Sequence, residues 1–298
     1  MSISLKFLRP LFIAAIATVA VAAVAVLGTL LLRAEPSGRV SLSEISHIHG
    51  IAVDRRDPSR LFVATHSGLF LASPDGYAVP VSERRDDYMG FSSHPTDGDV
   101  LFASGHPAAG GNMGVIASRD GGVTWEAISA GAEGPVDFHA MDVSRADPNV
   151  IYGLYGAVQV SRDSGKTWTV AGAPNADVFD LAASALDRDL VYAATRAGLM
   201  VSRDGAVNWE STGPENQPAT MVQVGDDGSV YAFVFGSGLL KAPASALSWR
   251  LVNASFGERV ILHLAIDQTE PGRLFAVTDD GRIIASTDGG ETWKNYAN

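Results

Sequence analysis

The 298-residue chain contains no cysteine. That absence excludes a disulfide scaffold, thiolate zinc and iron–sulfur sites, a cysteine nucleophile and a lipidated N-terminal cysteine. Charge is scarce at 18% of residues, and bases are the scarcer kind, 22 against 33 acids. A surface of that sign repels phosphate backbones, so no nucleic-acid partner is expected. Also missing are a phosphate-cradling glycine loop, a GxSxG elbow and an HExxH helix. Length alone, at about 150 residues per domain, suggests two domains.

What is present is unevenly spread. Leu11 to Leu32 is a run of 22 residues without a charge, with Lys6 and Arg9 before it and Arg33, Glu35 and Arg39 after it. At about 1.5 Å per residue such a run spans a bilayer as a helix. Residues 1–33 therefore read as one N-terminal transmembrane helix, an uncleaved signal anchor, and residues 34–46 as a linker. The positive-inside rule leaves the remainder on the extracytoplasmic side of the cell membrane, single-pass, or secreted if the segment is cleaved. From residue 34 onward 19 basic groups face 33 acidic ones, a net charge of −14.

Repeats decide the architecture. SRDGGVTW (118–125), SRDSGKTW (161–168), SRDGAVNW (202–209) and STDGGETW (286–293) share the pattern S-x-D-x-x-x-[TN]-W, and APASALSW (242–249) is a decayed copy. Every tryptophan of the chain (Trp125, Trp168, Trp209, Trp249 and Trp293) ends one of these copies. In each full copy a short carboxylate (Asp120, Asp163, Asp204, Asp288) can accept backbone N–H groups of its own hairpin, and Gly122, Gly165 and Gly290 can take positive φ. The indole then pins the hairpin, so these aspartates read as structural.

Around each hairpin run short alternating segments, such as HIHGIAVD, RLFVATH, GLFLAS and AVPVS in residues 47–82. Four strands per unit of about 40 to 45 residues signal propeller blades. First strands are expected near residues 47, 88, 138, 179, 220 and 261. The expected fold is an all-β, six-bladed β-propeller over residues 47–298. Whether residues 36–46 close the ring by adding a strand to the last blade stays open.

These copies resemble the Asp-box, or BNR, repeats of sialidases, sortilin-type receptors and photosystem II assembly factors. A narrower resemblance is to bacterial exported propellers labelled glycosyl hydrolase-like, through HIHG (47–50), ATHSGL (64–69), DYMGF (87–91), SGHP (104–107) and DFH (137–139). The resemblance implies the fold and carries no settled activity. The arginine triad and the Arg-Ile-Pro-type motif that a sialidase likeness implies are not matched.

In a propeller the inter-blade links and the turns between second and third strands share one end, here called the top; the Asp boxes lie at the other. Aligned on the aromatic of each second strand, His49, Met89 or Gly90, His139, Asp180, Ala219 or Thr220, and His263 fall at about one height around the channel. His47 is two residues before His49, and His66 and His106 lie at top turns. The candidate ligand-binding set is His47, His49, His66, Asp87, Tyr88, His106, Asp137, His139, Asp180, Arg196 and His263. The metal candidates are His49, His139, His263 and Asp180, with Met89 or Met141 beside them; His/Met sets suit copper and His/Asp sets suit zinc. The alternative for each histidine is a hydrogen bond to a loop carbonyl in a wet channel. His94, before Pro95 at the far end, reads as structural.

Three functions stay in view: a membrane-anchored binding or assembly module, metal-dependent; a glycosyl hydrolase, for which Asp86, Asp87, Asp137, Asp180 and Glu258 supply carboxylates; and a sortilin-type protein-docking propeller. Their partners would be a metal, a glycan or a protein. The stretch 104–111 reads as a top loop able to gate the channel, with glycines at both ends.

Overall fold

A computed structural model describes residues 38–297, and the compact unit begins at Val40. The apolar run Leu11 to Leu32 lies outside the described residues. Among the described residues no helix is long and apolar enough to cross a membrane.

Six antiparallel sheets follow one another along the chain, each ordered from an inner to an outer strand. The inner strands are Ile48–Val53, Asp87–Ser93, Ala140–Val143, Val178–Ala183, Ala219–Val224 and Ile261–Ile266, all within two residues of the expected starts. Each inner strand packs beside the next, and the sixth packs beside the first, so the sheets close into a six-bladed propeller.

The core lies between blades. Six apolar clusters each join two neighbouring blades; Phe62, Ala64 and Leu69 of the first pack on Tyr88, Leu101 and Ile116 of the second. The second-strand aromatics Phe62, Phe102, Tyr152, Tyr192, Tyr231 and Phe275 are at most 3% exposed. A single repeat leaves such a face uncovered, which is why the sequence must repeat until the ring closes.

At the bottom the four full Asp boxes have one geometry. In the first, Ser118 Oγ donates to Asp120 Oδ1 at 2.8 Å and accepts the Gly122 N–H at 2.7 Å. Asp120 also accepts the Thr124 N–H at 2.8 Å and the Thr124 hydroxyl at 2.6 Å. Trp125 Nε1 donates to the Gly122 carbonyl at 3.0 Å. The same bonds recur around Asp163, Asp204 and Asp288. Gly122, Gly165 and Gly290 have φ of 91°, 84° and 95°, while Ala206 takes the equivalent place at 74°. In the decayed copy Trp249 instead donates to Thr212 Oγ1 of the neighbouring blade, at 3.0 Å.

The seam between first and last blades is closed by side chains. Val40–Ser41 pairs with Ala78 and Tyr77, on the outer edge of the first blade, and a capped 3-10 turn, Leu42–Glu44, follows. The segment written as linker thus belongs in part to the first blade. Tyr296 of the sixth blade packs on Phe275 and donates its hydroxyl to the carbonyl of Ser59, 2.7 Å away in the first.

Candidate functional site

The top of the inner strands carries a feature that periodicity does not show. In five blades the pairing of inner and second strands skips a residue, a β-bulge at His49, Met89, Phe179, Thr220 and Leu262. In the third blade His139 stands just before the strand, its N–H on the Leu154 carbonyl. One step further, Gly50, Gly90, Ala140, Asp180, Met221 and His263 all face the residue two beyond the buried second-strand aromatic. His49 and His139 therefore stand in one ring, and Asp180 and His263 in the next. A bulge re-aims the residue it carries.

Around His49 the imidazoles do converge. His66 Nδ1 donates to Asp87 Oδ2 at 2.6 Å. His49 Nε2 lies 3.7 Å from Asp87 Oδ1, and neither buried atom has a hydrogen-bond partner. The His47 and His49 rings sit 4.9 and 4.3 Å from the His66 ring, tilted by 52° and 75°. His49, His66 and Asp87 each offer a donor atom within 4.8 Å of the others. Burial and the neighbouring His66 push the His49 pKa below its usual value, so the neutral, ligating form is favoured at neutral pH.

A second group joins the second and third blades. Asp137 is buried, and its Oδ2 meets His139 Nε2 at 2.8 Å and His106 Nε2 at 3.1 Å, while Oδ1 has no partner. His106 Nδ1 donates to the Gly111 carbonyl at 2.9 Å. The loop after it is held again by Asp86, whose Oδ1 accepts the Ala108 N–H at 2.9 Å. The stretch 104–111 is thus tethered at two points.

Asp180 and His263 are engaged otherwise. Asp180 accepts the N–H of Leu181 at 2.9 Å and of Val222, in the next blade, at 3.0 Å; burial pushes its pKa up to about 8. His263 Nε2 donates to the Ile48 carbonyl of the first blade at 3.1 Å, and burial lowers its pKa to about 4. Asp142, Ser92 and Gln223, which sequence reasoning passed over, do the same work: Asp142 accepts the Ala183 N–H, Ser92 Oγ the Val143 N–H, and Gln223 donates to the Leu264 carbonyl. These channel-lining side chains tie one inner strand to the next. The only sequence signal for them is a polar residue in an otherwise apolar inner strand.

Tyr88 is fully buried and stacks on Trp125 with ring centroids 5.2 Å apart, so it packs the core between the first two blades. Arg196 pairs with Asp177 at 2.8 Å and lies over the exposed ring of Phe179. His94 Nδ1 accepts the N–H of Asp97 at 3.1 Å, a turn-closing role. The channel itself is lined by His49, Met89, His139, Met141, Asp180 and His263 among others, with a cavity volume of about 140 Å³. That is below the few hundred Å³ of pockets that enclose organic ligands, and suits an ion or a few waters. Missed by sequence reasoning is an arc of exposed aromatics on the same face: Tyr155, Phe179 and Phe235, from the third, fourth and fifth blades.

No family model matches the chain, and no curated protein matches it in sequence. Among solved structures its fold is similar to that of a GH74 enzyme from Niastella koreensis, with a TM-score of 0.61 and 15% identity over 87% of this chain and 46% of that one. It is similar also to the GH74 xyloglucanase from Xanthomonas campestris (TM-score 0.58, 16% identity, 87% and 47% of the two chains). A third is YCF48 bound to a D1 peptide (0.56, 16%, 88% and 85%). The chain spans less than half the length of these GH74 enzymes. The likeness to Asp-box propellers holds at the level of fold.

Proposed function

We propose that this propeller is an extracytoplasmic binding or assembly module whose top face takes a divalent transition-metal ion through His49, His66 and Asp87. The supporting observation is the unpartnered pair of buried atoms, His49 Nε2 and Asp87 Oδ1, 3.7 Å apart beside the His66 imidazole. Two imidazoles and a carboxylate are borderline donors, the set that zinc and copper prefer over magnesium or calcium. Three protein ligands leave coordination positions for a partner's donor group. Residues 1–33 would hold the module at the membrane, and its net charge favours cationic over anionic partners. The test is metal content of the full-length chain after exposure to Zn²⁺ and dialysis, against the His49→Ala/His66→Ala variant. One ion per chain, lost in the variant, is expected; an equal load in both sinks the reading.

The aromatic arc favours a second reading, a surface that docks a polypeptide. Tyr155, Phe179 and Phe235 offer rigid apolar area on the face that carries the imidazoles, and YCF48, of similar fold, has been solved with a bound peptide. Glycoside hydrolysis is the weakest of the three, because it needs two carboxyl groups facing a sugar. Asp86, Asp87, Asp137 and Asp180 are each already engaged by an arginine, an imidazole or a backbone N–H.

A further inference from the structure

In the five blades with a bulged inner strand, the second-strand residue facing the position just before the bulge is, in chain order, Thr65, Gly105, Thr195, Val234 and Thr278. The four that carry a side chain are at most 1% exposed. The repeat therefore has room for a buried side chain at this place and does not itself call for glycine. The second blade departs from it. That blade is also the one whose ladder runs a pair further, with Asp87 opposite His106.

Gly105 has φ = 144°, a backbone that residues with a side chain rarely adopt. Its neighbours leave no space for one. A β-carbon there would overlap the Asp87 carbonyl oxygen and lie 2.8 Å from the Met89 amide nitrogen. To restore an ordinary contact of about 3.5 Å, the segment from Asp87 to Met89 would have to retreat by roughly 0.7 Å. Metal–ligand distances tolerate only about 0.2 Å. The Asp87 carboxylate stands 3.7 Å from His49 Nε2 and 2.6 Å from His66 Nδ1, both on the first blade, so a shift of that size in Asp87 alone breaks the match between the three donors.

We infer that Gly105 is a positioning residue for the ion site: by letting the second strand close on the backbone of Asp87, it sets the carboxylate where His49 and His66 can share an ion with it. The inference rests on the metal reading above. Gly105 lies inside the strand Leu101–His106, so it acts through close approach and not as a hinge of the 104–111 stretch.

The experiment measures Zn²⁺ affinity by chelator competition, and the visible spectrum after loading with Co²⁺, for the full-length wild type, Gly105→Ala and Gly238→Ala. Gly238, in the fifth blade, is the control, because a β-carbon there would likewise overlap a backbone carbonyl oxygen, that of Asn253. Both metal-free variants should melt several degrees below wild type. Gly105→Ala alone should bind Zn²⁺ at least tenfold more weakly and show an altered Co²⁺ spectrum, which a residue serving only the fold would leave unchanged. If Gly105→Ala does not fold, Gly105→Thr, which installs the residue of the first, fourth and sixth blades, takes its place; failure of both to fold would assign the glycine to the fold and overturn the inference. Wild-type affinity and spectrum in Gly105→Ala, or an equal loss of Zn²⁺ binding in Gly238→Ala, would also overturn it while leaving the three-residue site standing. No Zn²⁺ uptake by wild type would overturn both.

Discussion

The two ends of the propeller use the same side chain in opposite ways. At the bottom, Asp120, Asp163, Asp204 and Asp288 spend their oxygens on groups within four residues; the Thr292 hydroxyl and N–H hold Asp288 down to about 2. At the top, Asp87 meets two imidazoles from another blade and Asp137 meets one from another blade and one two residues along its own segment, and each carboxylate keeps one buried oxygen without a partner. A saturated carboxylate fixes a turn. An unsaturated buried one is costly unless something binds it, which is why the top is the place to look for a ligand.

The sharpest way to break this comparison is to neutralise one acid at each end. Asp87→Asn should reduce Zn²⁺ affinity by 100-fold or more in chelator competition, while the melting temperature of the metal-free chain shifts by only a few degrees. Unchanged affinity would erase the distinction between the ends.

A second test concerns the seam. His263 is lowered to about 4 from an ordinary 6.5, so on acidification the unfolded chain takes up its proton first. The contribution is present above 6.5 and lost as pH falls towards 4, at most about 3 kcal/mol. Asp180, raised to about 8, opposes it by favouring the folded state at low pH, so the comparison belongs in an Asp180→Asn background. There, chemical denaturation at pH 6.5 and 4 should show the acid loss, and adding His263→Gln, whose amide can still donate to Ile48, should reduce it, the remainder coming from His49 and His94, which are lowered in the same direction. The same slope in both variants would show that this histidine does not govern the seam.

The smallest effect is expected at the bottom. Asp163→Asn should lower the melting temperature by a few degrees and leave Zn²⁺ affinity untouched, because its partners, Ser161 and Thr167, lie in one hairpin. A change in metal affinity there would mean that the two ends are coupled.

Much of the fold was legible because its determinants are local. An Asp box is complete within eight residues, its indole closes on a carbonyl three residues away, and a tryptophan register of about 40 residues counts the blades. The candidate site was legible only as a list of residue types at one end. Which imidazole meets which carboxylate depends on bulges, and a bulge adds one residue without marking the sequence. So His49 and His139 appeared level with Asp180 and His263, which stand one step along and tie inner strands together. Tyr88 stood in the candidate ligand-binding set, whereas alternation along the strand buries it against Trp125.

By itself, then, the sequence determined the repeat, the hairpins and the number of blades, since each is set by interactions between residues close in the chain. The absence of cysteine also confined any metal site to imidazole, thioether and carboxylate donors. The tertiary structure alone decided that Val40–Ser41 joins the first blade, that Asp87 faces His66 and that Asp137 faces His106. It alone left the rings of Tyr155, Phe179 and Phe235 exposed in three successive blades. Those contacts join residues that come together only once strands far apart in the chain have packed.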